Sequence, residues 1–271
     1  MTLIADPPAR SDFARSLSVR TPRLPGPPQF TSAADERLHR KQRLAAALRI
    51  FGRYGYDEGL AGHITARDPE LTYHFWVNPL GRAFSRISVS DLILVDPAGR
   101  VVYGEAPVNQ AAFAIHSAVH AARPDVVSAA HSHSIHGKAL AALREPLEPL
   151  SQDACLLYER QAVVEFGGVA LDAEEGRRIA AGLGSNRLAL LANHGFLTVG
   201  GSVEEAAALF VIAERNAQVQ LLAKAAGDVK PISHEVATYT RNQGESAGDF
   251  GWYLFAGLWE QIVHEQPDLL W

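Results

Sequence analysis

An α/β fold is what this sequence predicts, on two observations. Segments with helical apolar spacing alternate with short β-rich runs along most of the chain. The short runs are bounded by Gly, Pro, Asn and Asp clusters that carry turn chemistry. At 271 residues, 47% of them hydrophobic, the chain has enough apolar surface for one large core.

The elements follow in order. In residues 1–33, Pro7, Pro8, Pro22, Pro25, Pro27 and Pro28 remove backbone donors and disfavour helix, so an extended arm is expected. From Ser32 or Asp35 to about Tyr54, Leu38, Leu44, Ala45, Leu48 and Phe51 fall on or near one face, the pattern of an amphipathic helix ended by Gly52 and Gly55. Residues 59–67, 73–77 and 92–96 read as antiparallel strands, separated by Asn78-Pro-Leu-Gly81 and Asp96-Pro-Ala-Gly99 turns. Residues 111–122 have helical spacing and stop before Pro124, with Asn109, His116 and His120 on or near one side.

Val126, Val127 and Ser128 lead into a strand carrying His131 and His133, and a helix over 136–143 follows, broken by Pro146 and Pro149. Residues 151–165 leave helix and strand open. A helix over 173–183 and a strand over 187–192 come next, and Thr198 to Ser202 reads as a turn into a long helix, 203–226. Ser202 is the expected N-cap, with Glu205 at the third helical position completing a capping box. The tail from Ser233 contains an aromatic-rich helix around Trp252, Tyr253, Phe255 and Trp259, which packs on the core or a neighbouring subunit, or lends a ring to an aromatic substrate pocket. The organisation expected is an arm over 1–33, a main domain over 34–230, and a helical extension over 231–271 packed on the same domain.

Bulk properties exclude several functions. A formal charge of −5 and the absence of a Lys/Arg cluster provide no field for nucleic acid. One cysteine, Cys155, cannot form an internal disulfide; it fits a buried thiol and a reducing cytoplasm. No signal-like start or long uncharged apolar run is present, so a cytoplasmic location with no membrane partner is expected.

The chemistry concentrates in two stretches. On a strand, side chains at i and i+2 share a face, so His131 and His133 form a two-toothed imidazole clamp. His194, in Asn193-His-Gly195 at the end of the next apolar run, is the candidate third ligand, because Gly195 lets the backbone turn sharply. His136, three residues after His133, is better suited to hydrogen-bond a ligand or cap the following helix.

These stretches, together with Gly62-His-Ile-Thr-Ala-Arg67, Val77-Asn-Pro-Leu-Gly81, Ser90 to Asp96 and the Ala-Ala-Arg-Pro-Asp ending at Asp125, resemble the class II aldolase and adducin family over roughly residues 35–222. The resemblance implies a three-layer α/β/α architecture around a mainly antiparallel or mixed sheet. It also implies a divalent metal on His131, His133 and His194, and a homotetramer with sites near subunit boundaries. In the sugar-phosphate aldolases of the family a glutamate one turn before the helix His serves as ligand and proton shuttle; counting back four from His116 gives Ala112, which can do neither. The phosphate donors are replaced as well, by His63, Leu80, Gln110 and Ala111. A buried phosphate left without those hydrogen bonds would be destabilised by several kcal/mol, so a sugar phosphate is not the expected substrate.

The pattern Asn109-x-Ala-x-Phe-x-x-His116 is that of the adducin-like branch, and length and loss of the glutamate also resemble the non-haem iron oxygenases of aminocoumarin antibiotic biosynthesis. Three neutral imidazoles leave an ion its full charge and open positions, which suits Fe(II) with a bidentate 2-oxo acid and O₂, while Zn or Mn would also fit. Small-molecule oxidative decarboxylation of an aromatic 2-oxo or 2-hydroxy acid is therefore the expected activity; a metal-dependent aldolase or epimerase and a non-catalytic adducin-like module are the alternatives. Leu80, Ala111 and Ala112 would open an apolar pocket walled by Phe113, Phe75 or Trp76. Gln110, Asn109, His63, Gln152, Asp153 and Tyr158 are candidate substrate contacts, with His116 holding the ligand strand. Light scattering of the purified protein should return the mass of four chains; a monomer would contradict the expected assembly.

Overall fold

The computed structural model describes residues 24–169 and 173–271. Helix α1 (Ala33–Tyr54) starts at Ser32, whose hydroxyl accepts the N–H of Asp35, and ends where Gly55 takes a left-handed conformation (φ 70°). Gly52 lies inside the helix and does not end it; its Cα packs so closely on the Ser85 backbone that an added Cβ would meet Ser85 N at 2.7 Å. Leu38, expected on the buried face, is 48% exposed, because the helix buries only from Lys41 onward.

Eight strands form one sheet: β1 (His63–Arg67), β2 (Phe75–Val77), β3 (Ile93–Val95), β4 (Val101–Tyr103), β5 (Ser128–Ser132), β6 (Gln161–Val164), β7 (Leu188–Leu191) and β8 (Gly195–Gly200). Their order is β4-β3-β2-β1-β5-β8-β7-β6, antiparallel throughout except for the parallel β6–β7 pair. Strand β4 was not foreseen, and Thr198, read as part of a turn, sits inside β8 with its hydroxyl donating to Ala206 O.

The remaining helices are α2 (Gln110–Ala122), α3 (Ile135–Leu143), α4 (Ala173–Leu183), α5 (Val203–Ala226), α6 (His234–Ser246) and α7 (Phe250–Glu265). Alternation along the strands makes two cores. Ala130, Leu188, Leu190 and Phe196 face α1, α5 and α7; Ala129, Ala189, Leu191 and Leu197 face α2 and α4. The expected three-layer α/β/α arrangement is what forms. The open segment 151–165 resolves into a 3₁₀ turn (Asp153–Leu157) and β6. The aromatic-rich helix expected in the tail is α7, preceded there by α6, with Phe255, Ile262 and Leu269 in the core. Ser202 caps α5 as expected, but the Glu205 carboxylate accepts the N–H of Gly201 and pairs with Arg187, so the reciprocal half of the capping box is not made.

Asp68 locks the first layer. Its carboxylate accepts from Arg37 (Nε 2.6 Å, Nη2 2.9 Å), from Trp76 Nε1 (2.9 Å) and from the N–H groups of Glu70 (3.0 Å) and Leu71 (2.9 Å). Burial works against its charge, yet these donors together hold the carboxyl well below the usual range. A depressed carboxyl contributes stability above its unfolded pKa of about 3.9 and loses it as pH falls toward the folded value. Asp68→Ala should therefore lower unfolding stability by about 3 kcal/mol near pH 7 in urea titration, with a smaller difference from the parent at pH 3. A difference that does not shrink with acid would contradict this account.

Candidate metal centre

The site is built where the ends of central strands meet. His131 lies on β5 opposite His63 of β1, on the α2 side of the sheet. His133 follows one residue after the last residue of β5, so the two-residue periodicity carries it to the same side although it is not itself in the strand. Between β7 and β8, Asn193 adopts a left-handed conformation (φ 57°), which few residues besides Asn and Gly do readily. Gly195 then passes so close to β5 that a Cβ would meet Ser132 O at 2.7 Å. Asn193 and Gly195 thus turn the chain tightly enough to bring His194 against β5.

The ring centres of His131 and His133 are 5.2 Å apart, and His194 is 4.7 Å from each. One ligating nitrogen of each lies within 4.8 Å of the others, and no carboxylate joins the cluster among the described residues. An ion about 2.1 Å from each nitrogen needs them roughly 3–3.5 Å apart, a small closure of the rings. His131 Nδ1–H donates to Phe196 O (2.8 Å), leaving Nε2 free to coordinate. Burial, with the neighbouring imidazoles, holds His131 well below the usual histidine range and brings His194 to about 4; burial and Lys138 lower His133. All three are neutral at physiological pH, the form that binds a metal.

Glu214 of α5 holds the chain just beyond the ligands, accepting from Ser134 Oγ (2.5 Å), from the N–H groups of His136 (2.9 Å) and Gly137 (2.7 Å), and from His136 Nδ1 (3.0 Å). A carboxylate thus caps the first turn of α3, where N–H groups lack helical partners. Nothing local in the sequence signals this, since the partners are 77 to 80 residues apart. His136 is therefore turned to Glu214, not to the cluster.

A cavity of about 290 Å³ opens beside the imidazoles, with His63, Ala111, Ile115, Phe166 and Val169 in its wall. Phe166 and Val169 are 51% and 71% exposed, at the mouth. They escaped the sequence reading, although an aromatic followed by Gly167 and Gly168 after an apolar strand was the available signal. Asn109 also borders the cavity, but its amide is engaged, accepting the N–H of Ala111 (2.9 Å) and donating to Leu60 O (3.1 Å).

Several expected contacts are elsewhere. Gln110 is exposed at the start of α2, and Leu80 lines an adjoining recess rather than the cavity. Ala112 is fully buried and does not line the cavity. Phe75 stacks on Phe113 and His120 within a separate apolar cluster, and Trp76 lies under Lys41, so none of the three expected aromatic walls serves. Tyr158 hydrogen-bonds His234 (3.1 Å), and neither it nor Gln152 or Asp153 borders the cavity. Trp252 and Trp259 flank Arg43 and do not border it either.

His116 lies behind the cavity, its Nε2 2.9 Å from His63 Nδ1 and its Nδ1 2.8 Å from Thr65 Oγ1. Burial, reinforced by neighbouring histidines, holds both His63 and His116 well below the usual range. No described helix is long and apolar enough to cross a membrane.

The chain is similar to several known proteins. The sequence is similar to the 4-hydroxy-3-prenylphenylpyruvate oxygenase/4-hydroxy-3-prenylbenzoate synthase of Streptomyces roseochromogenus subsp. oscitans, 43% identical over 248 residues, covering 90% of this chain and 88% of that protein. Its likeness to decarboxylase NovR of Streptomyces niveus is also 43% over 248 residues, covering 90% and 91%. The structure of L-fuculose 1-phosphate aldolase from Glaciozyma antarctica PI12 superposes with a TM-score of 0.83 at 42% identity, over 90% of this chain and 96% of that one. These relatives are enzymes, and so is this chain. Since residues 42–221 match the class II aldolase and adducin N-terminal domain, the chain belongs to the class II aldolase and adducin family.

Proposed function

We propose that His131, His133 and His194 hold a divalent metal, Fe(II) in the working enzyme, and that the protein oxidatively decarboxylates an aromatic 2-oxo acid of the prenylated 4-hydroxyphenylpyruvate type. The observation that carries this is the convergence of three neutral imidazoles with no carboxylate in the cluster among the described residues, beside a cavity walled by Ala111, Ile115, Phe166 and Val169. The donor set fits the metal: imidazole suits Fe and Zn alike, and three such ligands leave positions open. When bound, the ion supplies Lewis-acid charge and, as Fe(II), the capacity to use O₂.

The residues supply the rest. His131 is oriented by Phe196 O, and Glu214 steadies the chain after His133. The apolar wall takes an aromatic ring and a prenyl tail and keeps water from them. The chemistry balances in two stages. The 2-oxo acid and one O₂ give CO₂ and a mandelate shortened by one carbon; the mandelate and a second O₂ give the benzoate, CO₂ and water. The relatives named for a prenylphenylpyruvate oxygenase and a decarboxylase support this substrate class.

His131→Ala, His133→Ala and His194→Ala should each reduce bound metal from stoichiometric to trace in elemental analysis. His136→Ala should retain it, because Glu214 keeps the N–H groups of residues 136 and 137. Equal retention in all four variants would sink the ligand assignment. Anaerobically iron-loaded protein should consume O₂ and release CO₂ when given 3-prenyl-4-hydroxyphenylpyruvate, with the benzoate as final product. Carbon–carbon cleavage of that acid without O₂ uptake would instead favour an aldolase-type lyase.

A further inference from the structure

Beside the three-His cluster runs a buried hydrogen-bond chain with a fixed direction. His63 and Thr65 share one face of β1, about 6.6 Å apart by strand geometry, and His116 and His120 share one face of α2, about 6 Å apart by helix geometry. The two spacings match, so the four side chains interleave. His63 Nδ1 meets His116 Nε2 (2.9 Å), His116 Nδ1 meets Thr65 Oγ1 (2.8 Å), Thr65 Oγ1 meets His120 Nε2 (2.9 Å), and His120 Nδ1 faces Val126 O (3.4 Å).

The far end sets the polarity. A carbonyl oxygen only accepts, so His120 carries its proton on Nδ1 and presents a bare Nε2. Thr65 then donates its hydroxyl hydrogen to His120 and accepts from His116 Nδ1–H. His116 Nε2 is left bare and accepts from His63 Nδ1–H. The last consequence is that His63 Nε2 bears no proton. His63 lines the cavity next to His131, the two rings 5.0 Å apart, and no described protein group hydrogen-bonds this nitrogen.

We propose that the Val126–His120–Thr65–His116 chain locks His63 as an acceptor, and that its Nε2 reads the hydroxyl of the 2-hydroxy acid formed in the first stage, holding it at the three-His site for the second stage more tightly than a 2-oxo acid is held. A hydroxyl donates to that nitrogen. A keto oxygen in its place would set two acceptors against each other, a mismatch that lowers affinity about ten- to a hundredfold. His63 is thus a specificity-determining residue, and Thr65, His116 and His120 are positioning residues. The substrate class rests on the function proposed above; the lock does not.

Two measurements separate them. In ¹⁵N-histidine protein loaded with zinc, long-range ¹H–¹⁵N correlation spectra should show His63 and His116 protonated on Nδ1 with bare Nε2. Thr65→Val should abolish that uniform pattern and Thr65→Ser should preserve it. A proton on His63 Nε2 in the parent protein overturns the lock. In calorimetry on the same zinc-loaded protein, 4-hydroxymandelate should bind about tenfold or more tightly than 4-hydroxyphenylglyoxylate, and His63→Phe should erase the difference. Equal affinities in the parent, or a preference that survives His63→Phe, overturn the hydroxyl reading. If neither acid binds while the spectra show a bare Nε2, the substrate class fails and the lock stands.

Discussion

The site depends on β5 being paired on both sides, with β1 at one edge and β8 at the other. Because paired residues on neighbouring strands face the same way, this single register puts His63 beside His131 and brings the turn before β8 to the same strand end. A slip of one residue would send His131 into the opposite core, among Phe196 and Leu190, where an imidazole has neither partner nor ion. His131 sits on a central strand, His133 just past the end of that strand and His194 between the ends of β7 and β8, so the three rings have rigid support, which a metal site needs if distances are to hold within a few tenths of an ångström.

Burial then decides the electrical state of the cluster. The histidines beside the cavity are taken out of water on the α2 side of the sheet, and charging any of them there is opposed first by desolvation and then by its neighbours. The outcome is a set of neutral imidazoles whose protons are assigned by carbonyl groups: Phe196 O takes that of His131, and Val126 O begins the chain ending at His63. Backbone carbonyls, which can only accept, thereby dictate which nitrogens remain available for chemistry.

Ala112 stands where the resemblance implies a glutamate, and it is wholly buried. The Glu214 carboxylate beside the ligand segment is engaged by the α3 N-terminus and by His136. What surrounds the three-His cluster is a cavity wall of Ala111, Ile115, Phe166 and Val169, with His63 beside His131.

Much of this was legible in the sequence. The three clustered histidines, the α/β class, helix α5 to the residue, and the Ser202 cap follow from local spacing and turn chemistry, because those signals act over a few residues. The pocket walls were not: Phe75, Phe113 and Trp76 are apolar and near in sequence, but strand alternation and the packing of α2 commit them elsewhere, while Phe166 reaches the mouth from β6. Nor could the sequence reveal Glu214 as the clasp on α3, or the interleaving of His63 and Thr65 with His116 and His120. Those pairings span some 50 to 80 residues and exist only once the sheet and its helices have packed, since hydrogen bonding between distant side chains is decided by which faces meet, not by the residues themselves.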